Sequence, residues 1–311
     1  MKLKNKFFII VILIVFILII KLGDLILQKI YGLGNVVVYQ NSIISGYTLK
    51  PNQVVKRKNN IIKINNLGMR SNNDWDEKKK DIKILFIGDS VTYGGSLVSN
   101  DELFSEKVCA KLNANKNIYT CGNFATNGYS ITSITNKIKY KKFNNEDLII
   151  IILTANDLER NFHNVFSQPF FYSEIKNIFP AYTELFNFFV DQIRYNLRYK
   201  NLSMSESYES NEFQKFTIDN VTNLALAAKM NSKKVLMIYS PEITEIINTK
   251  EYNFYKKILK SNFENYLDMT NFIIKKENSN DLYYDHIHLS SAGHEFYSNI
   301  IKNYLITKFK Y

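Results

Sequence analysis

The residues able to do chemistry fall into two short clusters far apart in the chain. The first is Gly88-Asp89-Ser90-Val91-Thr92-Tyr93-Gly94, directly after the apolar run Ile82 to Ile87 and ahead of a segment with helical spacing. A serine at a strand-to-helix turn sits where open α/β sheets present their ligands, and a helix N-terminus offers unpaired amides and a field that favours developing negative charge. Ser90 is therefore a candidate nucleophile, and equally a candidate helix cap, a position serine favours. The esterase elbow G-x-S-x-G is not matched, because position 92 is threonine. A serine hydroxyl is a weak nucleophile that needs a base, and the base needs an orienting group. The second cluster, Asp285-His286-Ile287-His288-Leu289-Ser290-Ser291-Ala292-Gly293-His294, holds three of the four histidines, His163 being the fourth. Asp285 and His288 are three residues apart and can share one face of a turn, the carboxylate orienting the imidazole and stabilising its cation. His286 and His294 then read as structural. The competing chemistry is a metal site: Asp285, His286, His288 and His294 offer enough nitrogen and oxygen ligands for zinc, but that would leave the Ser90 turn without a role.

Acyl transfer also requires donors aimed at the oxyanion. Asn156, in Thr154-Ala155-Asn156-Asp157, ends the apolar run Leu148 to Leu153 and would point from the same sheet edge as Ser90. Gly128, in Asn127-Gly128-Tyr129, follows another candidate strand, Asn117 to Cys121, and glycine lets a backbone amide approach a ligand closely. Each also fits an ordinary turn. Taken in order, Gly88-Asp89-Ser90, Gly128, Asn156-Asp157 and Asp285-x-x-His288 resemble the four blocks of the SGNH/GDSL hydrolase family, over roughly residues 82 to 301. Asn65-Asn66-Leu67-Gly68-Met69-Arg70 also resembles a segment ahead of the first block in many bacterial members. The resemblance implies a flavodoxin-like three-layer α/β/α sandwich. It implies Ser90 as nucleophile, His288 as base, Asp285 as orienter, and an oxyanion hole from the Ser90 amide, the Gly128 amide and the Asn156 side chain, with no metal and no cofactor. One departure is that the third block usually begins with glycine, where this chain has Thr154.

The elements that must position these residues read as an α/β alternation. Ile82 to Ile87, Leu148 to Leu153 and Lys234 to Tyr239 are largely apolar and of strand length, while Leu103 to Leu112 and Phe213 to Met230 have helical spacing. Such strands imply a parallel sheet covered on both faces. Between Leu158 and Ser210 an aromatic-rich segment (Phe166, Phe170, Phe171, Tyr172, Phe179, Tyr182, Phe186, Phe188, Phe189) and a Ser-rich stretch near residue 205 suggest a helical insertion, about 158–210, with one face on the core and part of the other bordering a groove. Residues 28–80 form a lead-in with a strand-like stretch at Ile61 to Ile64, and 81–311 the main domain.

The N-terminus carries a targeting signal. Lys2, Lys4 and Lys6 precede fourteen uninterrupted apolar residues, Phe7 to Ile20, then Lys21 and a mostly apolar stretch to Leu27 broken by Asp24. Fourteen falls short of the roughly 20 residues of a full span, which leaves a cleaved signal peptide open. No small-residue cleavage site follows, however, and flanking lysines can snorkel to both interfaces. The reading is a cytoplasmic tail at 1–6, a transmembrane signal anchor at 7–27, and everything beyond on the far side, in a periplasm or cell exterior. There Cys109 and Cys121 can bridge, or remain a pair of buried thiols. The formal charge of +11 is spread along the chain, its densest clusters, Lys56 to Lys58 and Lys78 to Lys80, being short. With no zinc-finger spacing or RNA-binding signature, a nucleic-acid partner is not expected. At 46% hydrophobic and 14% aromatic, 311 residues can bury one substantial core and still leave an anchor and an insertion. The expected activity is hydrolysis of a carboxylic ester on an acylated surface glycan or a lipid, through an acyl-serine. The alternatives are an O-acyltransferase using the same site and a non-catalytic glycan-binding protein of the envelope.

Overall fold

A computed structural model describes residues 2–79, 81–114, 118–141, 143, 145–160, 177–199, 211–232, 234–247 and 253–311. The chain begins with a long helix, α1 (Lys2–Tyr31), followed by two antiparallel hairpins, β1 (Tyr39–Ser42) with β2 (Gly46–Leu49) and β3 (Gln53–Arg57) with β4 (Asn60–Ile64). The main domain then alternates: β5 (Ile82–Ile87), α2 (Ser90–Tyr93), α3 (Phe104–Leu112), β6 (Tyr119–Asn123), α4 (Ile131–Lys139), β7 (Leu148–Leu153), α5 (Ala155–Glu159), α6 (Pro180–Tyr199) and α7 (Asn211–Asn231). It closes with β8 (Val235–Tyr239), α8 (Ile243–Ile247), α9 (Asn253–Asn262), β9 (Tyr266–Asp268), α10 (Thr270–Ile274) and α11 (Ser291–Tyr304).

Five strands make one parallel sheet in the order β6-β5-β7-β8-β9. Two of its interior strands, β5 and the central β7, are buried almost end to end because helices cover both faces, which is why they read as continuous rather than alternating apolar runs. Alternate residues divide between two cores. Ile84, Phe86, Ile150 and Ile152 pack with Phe104 and Val108 of α3 and Tyr297 and Ile301 of α11. Leu85, Ile87, Ile149 and Ile151 pack on the other face with Ile131, Ile134 and Ile138 of α4 and Val221, Leu224 and Ala228 of α7. This is the expected three-layer α/β/α sandwich. The strand order has one consequence for function. After β5 the chain steps outward to β6, then crosses back to β7 on β5's other side, so the loops after β5 and β7 open a crevice at the carboxyl edge, where doubly wound sheets bind ligands.

The predicted helices at Leu103–Leu112 and Phe213–Met230 are α3 and α7, and Cys109 and Cys121 form a disulfide with Cα atoms 5.8 Å apart. Of the expected insertion, Leu158 and Glu159 complete α5, and α6 is the helix within it; His163, Phe166, Phe170, Phe171, Tyr172 and the Ser-rich stretch near 205 lie outside the described residues, as do Lys80 and Asn117. The expected anchor, 7–27, is the middle of the single helix α1, whose Phe7 to Ile19 side chains are all exposed. Among the described residues this helix is the one long and apolar enough to cross a membrane. Asp24, which looked like an interruption of the apolar stretch, is fully buried: it accepts hydrogen bonds from the Ala181 and Tyr182 amides at 3.0 and 3.1 Å, capping α6.

Candidate active site

Ser90 is the first residue of α2, immediately after β5, and is half-buried. It is not the helix cap. That role falls to Asp89, whose carboxylate accepts from the Val91 amide at 2.9 Å, leaving the serine hydroxyl free for other partners. The turn is tight: a side chain at Gly88 would collide with Thr92 and with the Ile152 carbonyl, and Gly94, which ends α2, has φ of +84°. Arg70, wholly buried, fixes the far end of α2. Its guanidinium donates to the Tyr93 carbonyl at 2.7 Å, the Val98 carbonyl at 2.6 Å and Asn100 Oδ1 at 3.1 Å. The lead-in containing Asn65 to Arg70 thus braces the Ser90 turn from beneath.

The loop before α11 carries the second cluster to the same edge, 198 residues away in sequence. His288 Nε2 lies 2.9 Å from Ser90 Oγ, and His288 Nδ1 lies 2.7 Å from Asp285 Oδ2. The other carboxylate oxygen, Asp285 Oδ1, accepts the amides of Ile287 at 2.9 Å and His288 at 2.8 Å, so the three-residue spacing closes a small turn around the carboxylate. Burial raises the Asp285 carboxyl, but the two amides and the imidazole outweigh it and hold the group below the usual carboxylate range. With Asp285 ionised, Nδ1 carries the ring proton and Nε2 presents a lone pair to the serine hydroxyl. Ser90 Oγ has a second acceptor, Asp89 Oδ2, at 3.1 Å.

The four residues of the metal reading are not gathered. His294 points into the core, stacked on Phe104, with Nδ1 accepting the Phe104 amide at 3.3 Å; burial first, then Arg70 and Lys107, push its pKa down to about 3. His286 is exposed and contributes its backbone carbonyl, which accepts the Ile243 amide at 2.9 Å.

Gly128 sits in the turn after β6 with φ of +72°, a conformation that favours glycine. Its loop is tied to the Ser90 turn by a Thr126 amide to Gly88 carbonyl bond of 3.3 Å. Asn156, in the first turn of α5, is half-buried, and its Nδ2 donates to Glu242 Oε1 at 2.6 Å. The departure at Thr154 is absorbed locally, since its amide donates to Asp157 Oδ2 at 2.9 Å at the N-terminus of α5. Asp157 is fully buried, and burial, reinforced by Asp89, raises its carboxyl well above the usual range against the pull of Arg160. Arg160 is a residue that sequence spacing did not single out. It lies 3.7 Å from Asp89 and 3.6 Å from Asp157, and donates to the Tyr129 carbonyl at 2.9 Å, so one guanidinium joins the loops after β5, β6 and β7.

No protein-family model and no curated protein matches this sequence. Solved structures do match, among them a catalytic mutant of Axe2, an acetylxylan esterase from Geobacillus stearothermophilus, at 15% identity over 73% of this chain and 95% of that one, with a TM-score of 0.48. Others are a lipase/acylhydrolase from Enterococcus faecalis (15% identity, 73% and 96% covered, TM-score 0.46) and a two-domain esterase active on acetylated mannans (13%, 74% and 50% covered, TM-score 0.46). These likenesses are distant, and the chemistry has to come from the side chains themselves.

Proposed function

We propose that the chain is a serine hydrolase of the SGNH (GDSL) type that cleaves a carboxylic ester through an acyl-Ser90 intermediate. The observation that carries this is the hydrogen-bonded relay from Ser90 Oγ through His288 to Asp285, at 2.9 and 2.7 Å, built from three residues at the carboxyl edge of one sheet. Ser90 Oγ attacks the ester carbonyl while His288 Nε2 takes its proton, and Asp285 stabilises the imidazolium. The negative charge that moves onto the carbonyl oxygen is met by the Ser90 amide, the Gly128 amide and the Asn156 side chain. Collapse of the tetrahedral adduct expels the alcohol, which leaves with the proton from His288. Water then attacks the acyl-serine by the same route, releasing the acid and restoring the hydroxyl.

The substrate class follows from where the domain would sit. Phe7 to Ile19 of α1 form an exposed apolar cylinder preceded by Lys2, Lys4 and Lys6, the arrangement of an anchor with its N-terminus in the cytoplasm. From Lys21 onward the helix joins the protein. Lys21 donates to the Ile178 carbonyl, Asp24 caps α6, and the adjoining loop is held by Glu184, which pairs with Arg57 at 2.7 Å. The catalytic domain therefore rides on a docked stalk outside the membrane, where the Cys109–Cys121 bridge is chemically permitted. An O-acylated surface glycan, deacylated from the outside, is the substrate this placement favours.

Intact-mass spectrometry of the full chain after fluorophosphonate treatment tests the reading. A single adduct, absent from Ser90→Ala and unaffected by a chelator, together with turnover of an aryl acetate, is the expected result. Full esterase activity in Ser90→Ala would overturn it.

A further inference from the structure

We propose that Glu242 is the positioning residue of the oxyanion hole, holding the Asn156 amide in the one orientation that leaves an N–H free for the oxyanion. The proposal rests on the serine-hydrolase reading above. Glu242 lies in Ser240-Pro241-Glu242 between β8 and α8, and β8 neighbours β7, so Glu242 and Asn156 leave adjacent strand ends and meet at 2.6 Å. The residue is 9% exposed and its loop is fixed from three sides. The Ser240 amide donates to the Leu153 carbonyl at 2.8 Å, the Tyr283 hydroxyl to the Pro241 carbonyl at 2.7 Å, and the Glu242 amide to Glu245 Oε1 at 3.1 Å. The next amide, Ile243, donates to the His286 carbonyl at 2.9 Å, so the segment is also tied to the loop that carries Asp285 and His288.

A primary amide is planar, with two N–H bonds on one end and a carbonyl on the other, and a half-turn exchanges them. Presented oxygen-first, Asn156 would repel an oxyanion instead of stabilising it. An ionised carboxylate can only accept, so it selects the nitrogen end: one N–H goes to Glu242 and the second is left for the developing charge. A protonated Glu242 carries an O–H that Asn156 Oδ1 can accept, and the selection is lost. The groups facing this carboxyl are Glu245 on α8, Glu159 and Arg160 at the end of α5, and Asp89 at the Ser90 turn. Burial, then the three acids, push Glu242 up to about 7, with Arg160 working against them. The holding form therefore prevails above pH 7 and fades below it.

The test is steady-state kinetics of the full chain in detergent, with an aryl acetate, for the wild type, Glu242→Gln, Asn156→Ala and the double variant between pH 6 and 8.5. Glutamine has the shape of the protonated acid and, like it, offers both a donor and an acceptor, so it mimics the relaxed state without opening a cavity. At pH 8.5 Glu242→Gln should lower kcat by about ten-fold, less than the roughly 10²–10³ that loss of a whole oxyanion donor costs, with KM within two-fold. Because both proteins keep His288, the ratio of wild-type to variant kcat isolates Glu242, and it should fall toward one at pH 6. In the Asn156→Ala background the same substitution should change kcat less than two-fold. A ratio that is one throughout, a ratio independent of pH, or an undiminished ten-fold loss in the Asn156→Ala background would each overturn the proposal. Absence of Ser90-dependent turnover in the wild type would instead remove the hydrolase reading. The contact itself is then judged from the Asn156 side-chain ¹H–¹⁵N signals, which should titrate near pH 7 in the wild type and not in Glu242→Gln; a pair that does not titrate overturns it.

Discussion

Replacing Asp285 by asparagine separates the charge of the relay from its geometry. In the native turn, Oδ1 accepts two amides, Ile287 and His288, and Oδ2 faces His288 Nδ1 at 2.7 Å. An asparagine keeps both amide bonds if its oxygen stays at the first position, which places its NH₂ against Nδ1. The ring must then accept at Nδ1 and carry its proton on Nε2, the atom 2.9 Å from Ser90 Oγ. In that tautomer it cannot take the serine proton. Loss of the correct tautomer in a serine triad costs on the order of 10⁴ in turnover. Here the carboxylate and imidazole are 39% and 30% exposed, so solvent screens the pair and the lower figure of about 10³, or about 4 kcal/mol of barrier, is expected. The assay is kcat/KM on an aryl acetate at pH 8, with the thermal midpoint measured beside it to show that the turn survives. A folded variant within ten-fold of the wild type would refute the relay. The native group's pKa is depressed, so its contribution to stability is present above the ordinary carboxylate range and is lost as pH falls through its lowered value. Any loss of activity between pH 8 and 6 therefore belongs to groups other than Asp285.

Two further outcomes follow from buried groups away from the relay. Asp24→Ala removes the cap of α6 and leaves the Ala181 and Tyr182 amides unpaired, at a cost on the order of 1–2 kcal/mol local to that helix end. Hydrogen exchange at those two amides should speed up by roughly ten-fold or more while β5 and β7 keep their protection; unchanged exchange would show that the stalk and α6 are not docked. His294 is buried and neutral with its pKa lowered to about 3, so above pH 6.5 it contributes nothing to the pH dependence of stability. Below pH 6.5 the unfolded chain takes up a proton that the folded chain refuses, and stability falls by up to about 1.4 kcal/mol per pH unit until the folded value is reached. His294→Gln, which keeps an acceptor for the Phe104 amide, should flatten the loss between pH 6 and 4 in denaturant titrations; an identical slope would place the titrating group elsewhere.

What the sequence displays and what it conceals follow one physical divide. β5 and β7 are legible because a strand buried on both faces must be apolar at every position, and Ile82 to Ile87 and Leu148 to Leu153 nearly are. β9 is not legible, because three residues at the sheet edge leave too short a pattern. Ser90 announces itself through its neighbours, a strand before it and glycines around it, and Asp285 and His288 through a spacing that closes one turn. Each signal is local. Arg160, Glu242 and Asp24 have no such signature, because what gives each its role lies far away in the chain: Glu242 meets Asn156 across 86 positions, and Asp24 meets Ala181 across 157. An aspartate in an apolar helix therefore reads as an interruption until the helix that it caps is in place. The same holds for Asn156, the proposed oxyanion donor. Asn156 is legible as an amide after a strand, but its partner at 2.6 Å, Glu242, lies on the next strand's loop, so a pair of this kind has no local signature and only the folded sheet brings its two members together.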